Sequence, residues 1–256
     1  MCSASTFPPA TRGLARRVSR PGAALAAALY ALLLVVSQGH ATEPPFGVFS
    51  LTPAGKTVKA EILTHPSVAG VSIRTPWPEV ELAEGVYDWS YLDQQVARSA
   101  AAGKQILLRV VAGGEETPPW VVAAGVQTFT FVDKNRYHAT YNQPLTIPVF
   151  WDPMFLQHKT QLILAMGQYF APNPHVVVVS ASCANATSDD WHVPHTPADV
   201  SNWRAAGYTS EKLIAACQAI LDTTMTAFPH QYVLLAVGRN GTTLDPDPDY
   251  VARQVV

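Results

Sequence analysis

The chain has 256 residues, with 17 basic and 19 acidic side chains and a formal net charge of −2. Hydrophobic residues make up 48% and charged residues only 14%, which excludes a disordered chain and supplies one large core. A mildly acidic balance with no basic stripe argues against nucleic acid as a partner.

Residues 1–41 read as a secretory leader. Arg12, Arg16, Arg17 and Arg20 precede the apolar run "AALAAALYALLLVVS", and Gly39 and Ala41 follow as small residues at a cleavage site. The run falls short of the roughly 20 residues that span a bilayer, so removal is expected over anchoring, with no membrane association afterwards. "RRVSR" carries a twin-arginine pair without the apolar residues that usually follow, so Sec and twin-arginine export both stay open. Losing four arginines and no acids takes the charge from −2 to −6. A secreted or periplasmic bacterial protein is the expectation, with one domain over residues 42–256.

Strand-like runs then alternate with helical ones. Strands are expected over 46–51, 68–74, 105–111, 175–182 and 232–238. "QILLRVV", "HVVVVSAS" and "YVLLAVG" are continuous apolar runs, as in parallel strands covered on both faces. A poorer segment, 56–64, has room for one short helix between the first two strands. Ser90 is expected to cap a helix over 91–102, with Gly103 as its stop. Asp152 and Pro153 open a helix to about Phe170, and Thr209 or Ser210 opens another to about Ala227. After the third strand, "VQTFTFVD" and "PLTIPVF" alternate and are expected to pair as an inserted hairpin near 125–150.

Strand–helix repetition implies right-handed crossovers and a parallel sheet. An open dinucleotide-binding sheet would show a Gly-rich turn after its first strand, and "FGVFSLTPAGK" has none. A (β/α)8 TIM-barrel type is the fold class expected, incomplete, with about five of eight strand–helix units present.

In a barrel the site lies at the C-terminal ends of the strands. Arg74 and Trp77 follow the second strand. Glu115, Glu116 and Trp120 follow the third, in "AGGEETPPW". Asn185, Asp189, Asp190, Trp191 and His192 follow the fourth, and Arg239, Asn240 and Asp245 follow the fifth. Indoles beside carboxylates and an amide suit a sugar, whose rings have apolar faces and polar rims. His192 and His195 flank Pro194 without a helical frame and offer too few ligands, so no metal and no other cofactor is expected. No serine-nucleophile elbow is present. The sequons at Asn185 and Asn240 are short enough to arise by chance. Cys183 and Cys217 could bridge in an exported chain, but Cys217 shares a helical face with Leu213, Ile220 and Leu221 and reads as a buried thiol.

"GVSIRTPWPEVELAEGVYDWSYLDQQVARSAAAGKQILLRV", followed by "GGEETPPWV" and then "VFWDPMF", resembles the early strands of beta-galactosidase-like glycoside hydrolases of the (β/α)8 type, the family 42 enzymes and their clan A relatives. The resemblance covers roughly 46–244. It implies that Trp77 lies near the cleft, that Trp89 packs in the barrel wall, and that Glu84, Asp88 and Asp93 are scaffold. It also implies a retaining mechanism, with one carboxyl after strand four as acid/base and another after strand seven as nucleophile, roughly 5 Å apart. Two departures stand out. No Asn-Glu pair follows strand four, which leaves Asp190 or Asp189 as the candidate proton donor. Five strands are legible, so the chain reads as truncated before the nucleophile. The substrate implied is an oligosaccharide or glycoside with β-linked sugars, lined by Arg74, Trp77, Glu115, Glu116, Trp120, Asn185 and Trp191. A non-catalytic carbohydrate-binding scaffold, or an inactive incomplete barrel with open edges, is the alternative.

Overall fold

The structure is a computed structural model that describes residues 44–134, 136, 140–183, 191, 194, 196–235 and 254. The leader and residues 236–238 of the fifth expected strand lie outside these residues. In chain order the elements are β1 (Val48–Leu51), α1 (Ala60–Thr64), β2 (Val68–Pro76), α2 (Trp77–Val80), β3 (Glu81–Ala83), β4 (Val86–Tyr87), α3 (Ser90–Ala101), β5 (Gln105–Val111), a 3₁₀ turn (Gly114–Glu116), α4 (Pro119–Ala123), β6 (Thr128–Val132), β7 (Pro144–Pro148), α5 (Pro153–Phe170), β8 (Val176–Ala181), α6 (Pro197–Ala205), α7 (Ser210–Ala227) and β9 (Tyr232–Leu235).

β1, β2, β5, β8 and β9 form one sheet in that order, every neighbouring pair parallel. Sequence order is therefore spatial order, and each step passes through at least one helix, as in a partial TIM barrel. One face of the sheet turns Ile73, Ile106, Leu108 and Val179 into the main core, where they meet Leu92 and Val96 of α3, Phe155, Leu162 and Met166 of α5, and Leu213 and Ile220 of α7. These side chains are all but sealed from solvent, and each contributes roughly 1.5–3 kcal/mol by leaving water. The residues between them face the other way. Phe49, Leu107, Val178, Tyr232 and Leu234 line a cavity of about 340 Å³ on that second face. Among the described residues β1 pairs only with β2 and β9 only with β8. Leu51 and Leu234, on these two edge strands, stay exposed at 65% and 44%.

The helix ends follow local chemistry. Asp152 caps α5, its Oδ1 accepting from the backbone N–H of Met154 and Phe155, with Pro153 at the first helical position. Its other oxygen accepts from Gln127 N, which ties α5 to the segment entering β6. Thr209 caps α7 through Lys212 N. α3 departs from expectation by one residue. Ser90 is its first helical residue and not its cap; Asp88 Oδ1 instead accepts from Ser90 N at 2.9 Å. Gly103, at φ +68°, ends that helix in the left-handed region that L side chains avoid. In α5, Gly167 lets α7 approach so closely that a Cβ there would collide with Ala227 O.

The inserted hairpin forms, β6 antiparallel to β7 with Phe129 opposite Ile147 and Phe131 opposite Leu145. The short β3–β4 hairpin and the helices α2, α4 and α6 carry no strong signal in sequence because each is five residues or fewer, or weakly amphipathic.

The cysteines correct the sequence reading. Cys183 and Cys217 form a disulfide, their Cα atoms 5.5 Å apart, and both are fully buried. Cys217 does share the buried face of α7 with Leu213 and Ile220. What the pattern hid is that this face points at the residue where the chain leaves β8, and 5.5 Å is a normal bridging distance.

Candidate active site

The parallel strands bring their C-terminal ends together, and the expected residues are distributed about those ends. Arg74, on the second face of β2, stands in register with Arg109 of β5. Its Nε donates to Thr52 O at 2.9 Å, just past the end of β1. Glu116 is half-buried at the end of the 3₁₀ turn that follows β5. Glu115 belongs to the same turn, with its side chain outside the description. Asn185, Asp189 and Asp190 lie outside the described residues, as do His192, His195, Arg239, Asn240 and Asp245.

The three indoles converge. Trp77 and Trp120 meet edge-to-face at 6.2 Å. Trp77 lies 6.3 Å from Phe155, which lies 6.5 Å from Trp191. Trp191 stacks on Phe150 at 4.5 Å and an interplanar angle of 4°. One aromatic layer thus runs under the ends of β2, β5 and β8. It differs from a set of open plates. Trp77 is fully buried and Trp191 is 2% exposed, so neither presents a free ring face. Trp120 is half-buried and is also edge-on to His158 at 5.0 Å. In this arrangement Trp77 and Trp191 are floor, and Trp120 is the indole with surface to offer.

Glu81 organises the layer, and sequence reading did not single it out. It is 2% exposed. Its carboxylate accepts from Trp77 Nε1 at 2.7 Å and from Gly85 N at 2.9 Å, while its backbone O accepts from Trp120 Nε1 at 3.0 Å. The Tyr87 hydroxyl also reaches this carboxylate, and burial first, then the charge of Glu81, pushes the phenol up to about 12. A buried carboxylate is tolerable here because neutral donors surround it. The available signal was the spacing of Trp77 and Glu81, four residues apart across a one-turn helix.

Lys159 is the second residue missed. It is 1% exposed on the core face of α5. Its Nζ donates to Ala112 O at 2.6 Å and to Ser182 O at 2.5 Å, and stands 5.6 Å above the Trp191 ring. The sequence shows it as a lone cation inside the apolar stripe Phe155, Leu162, Ile163, Met166, a pattern that read simply as helix. Around Trp89 the scaffold reading is supported by contacts. Trp89 stacks on Tyr87 at 5.1 Å and on Tyr169 at 5.7 Å, Tyr169 donates to Asp93 Oδ2 at 2.9 Å, and Asp88 Oδ1 accepts from Ser90 N at the start of α3.

A parallel sheet in sequential order, flanked by helices and with its polar residues at the carboxyl ends, defines a partial TIM barrel. The sequence profile of glycoside hydrolase family 42, beta-galactosidase, matches residues 57–213, well over half of the chain. The chain belongs to that family. Among solved structures it is similar to the catalytic domain of beta-amylase from Paenibacillus polymyxa, with a TM-score of 0.52 and 11% identity, covering 82% of this chain and 71% of that one. It is similar to beta-galactosidase from the psychrophilic Marinomonas ef1, with a TM-score of 0.51 and 11% identity, covering 74% and 37%. It is also similar to endo-glycoceramidase II from Rhodococcus sp., with a TM-score of 0.50 and 20% identity, covering 76% and 49%. At these identities the likeness is one of fold. The chain spans about a third to a half of the length of the last two.

Proposed function

We propose that this protein is an exported glycoside-hydrolase-like protein that cleaves, or derives from an enzyme that cleaves, β-linked sugars by a carboxylate acid/base mechanism. The observation that carries the reading is the family 42 match across 57–213, which includes the ends of β2, β5 and β8. Asp190 or Asp189 is the proton donor; Asp is one methylene shorter than the usual Glu, so that role would require a closer approach to the glycosidic oxygen. Arg74, Glu115, Glu116, Trp120 and Asn185 line the cleft and hold hydroxyls, with Trp77 and Trp191 beneath them as packed support. The nucleophile is not assigned to any residue of this chain. Residues 1–41 are a cleaved leader, and residues 42–256 form one domain. The Cys183–Cys217 bridge supports export, because structural disulfides persist in oxidising compartments.

The test is hydrolysis of an aryl β-galactoside by the mature chain and by its Asp189→Asn and Asp190→Asn variants. Turnover in the parent, lost in a variant, supports the reading; equal turnover in all three removes both aspartates from it. A second reading is favoured by one observation, the absence of an Asn-Glu pair after β8. In that reading the chain is a carbohydrate-binding scaffold, which a Trp fluorescence response to oligosaccharides without any hydrolysis would select.

A further inference from the structure

The ladder between β5 and β8 is shorter than the strands it joins. Paired residues run from Ile106 with Val176 to Leu108 with Val179 and end there. β5 continues to Val111, held on its other side by Pro76 of β2. β8 continues to Ala181, held on its other side by Leu235 of β9. The pairing therefore stops short of the last residues of both strands, at the end of the sheet from which the candidate site segments leave. A small void lies beside these unpaired ends, lined by Val110, Ala112, Val179, Ser180 and Ser182 from the strands and their ends, and by Lys159 from α5.

Lys159 joins the two strand ends beyond the last pair. Its ammonium takes one carbonyl from each side, Ala112 O and Ser182 O. Ala112 is one residue past β5 and two residues before the turn carrying Glu115 and Glu116. Ser182 is one residue past β8 and directly precedes Cys183, which is fixed to α7 by the disulfide. Burying an ammonium is costly, and a methionine would fill the same space without that cost. The return is geometric. A charged donor to two carbonyls forms stronger and shorter bonds than a neutral one, and it holds both strand ends to a single point.

We infer that Lys159 is a positioning residue: it replaces the missing ladder between the ends of β5 and β8 and sets the spacing of the two segments that carry the candidate carboxylates. This inference rests on the proposed function for its catalytic consequence, but not for its structural one. The test uses the full mature chain with Lys159→Met and Lys159→Arg. Amide hydrogen exchange by mass spectrometry is followed over 109–116 and 180–183, with 68–74 and 213–220 as references. Kinetics on an aryl β-galactoside are measured in parallel. In Lys159→Met, exchange is expected to accelerate in both strand-end segments together, by about tenfold if one charged hydrogen bond per side is lost. The reference segments stay unchanged. kcat is expected to fall more than KM rises, with part of the loss recovered in Lys159→Arg. Unchanged exchange at the two strand ends in a folded Lys159→Met protein overturns the inference, as does acceleration spread evenly over the reference segments. A parent protein with no turnover counts against the proposed hydrolase instead, and the exchange result still decides the role of Lys159. Altered exchange with kcat and KM both unchanged would overturn the positioning role.

Discussion

The two ends of the sheet use the same device for different purposes. At the amino end, Lys104 is 8% exposed, and its Nζ donates to His65 O at 2.9 Å and Val68 O at 2.7 Å. At the carboxyl end, Lys159 donates to Ala112 O and Ser182 O. Each is a buried ammonium holding two backbone carbonyls. Lys104 fastens the turn that leads into β2, where the β2–β5 ladder is continuous from Gly70 to Pro76. Lys159 works where the β5–β8 ladder has stopped. The comparison teaches that burial and hydrogen bonding alone do not separate stability from function in this fold; position along the strands does.

That contrast can be broken at its strong end first. Asp190→Asn or Asp189→Asn is expected to lower turnover of an aryl β-galactoside by about 100-fold or more, the usual scale for losing a proton donor, with the melting curve little changed. Next in size is the disulfide beside Ser182. Cys217→Ser removes a bridge closing 34 residues, and chemical denaturation should show a loss of about 3–4 kcal/mol on loop-entropy grounds. Equal stability with and without reductant in the parent would mean that the bridge does not constrain the chain.

Glu81→Ala leaves the buried Trp77 N–H without its acceptor, and urea unfolding should report a loss of roughly 2–3 kcal/mol together with a changed near-ultraviolet Trp spectrum. Lys104→Met sharpens the comparison from the other side. It is expected to cost about 1–3 kcal/mol through the two carbonyls left unpaired, with kcat and KM unaltered in the surviving folded protein. A drop in kcat there would erase the distinction between the two ends.

The smallest effect is one of pH. Burial and Glu81 raise the Tyr87 phenol to about 12 from an ordinary 10.0. The neutral phenol is thus favoured in the folded state, and its contribution to stability is complete below pH 10. It fades as pH rises from 10 towards 12. The melting temperature should fall over that window, less so in Tyr87→Phe, and Glu81→Gln should move the 295 nm titration of Tyr87 downwards.

Most of the fold was legible because periodicity reports burial, and burial here is regular. The continuous apolar runs gave the strands, and Asp152-Pro153, Thr209 and Gly103 gave helix ends through local chemistry that needs no tertiary context. Ser90 misled because Asp88, two residues earlier, accepts from the N–H of Ser90 itself and the helix begins at Ser90. The site was legible only as a location. That Trp77, Trp120 and Trp191 fall at strand ends follows from topology, and the structure gathers them. That Trp77 and Trp191 are sealed under neighbours does not follow from topology, since a Trp has the same letter as plate or as floor. Glu81 left only its four-residue spacing from Trp77 as a signal, whereas the contacts of Lys159 and the closure of the Cys183–Cys217 bridge act across 23 residues or more and leave no local pattern in sequence.

The account depends on sugar-handling groups collecting at the carboxyl ends of β2, β5 and β8. Amide hydrogen exchange of the mature chain, measured with and without saturating D-galactose, tests this most directly. Slower exchange confined to 113–120 and 182–191, with 65–68 and 102–104 unchanged, is the result predicted. Protection at the amino end of the sheet, or none in any segment, would contradict it.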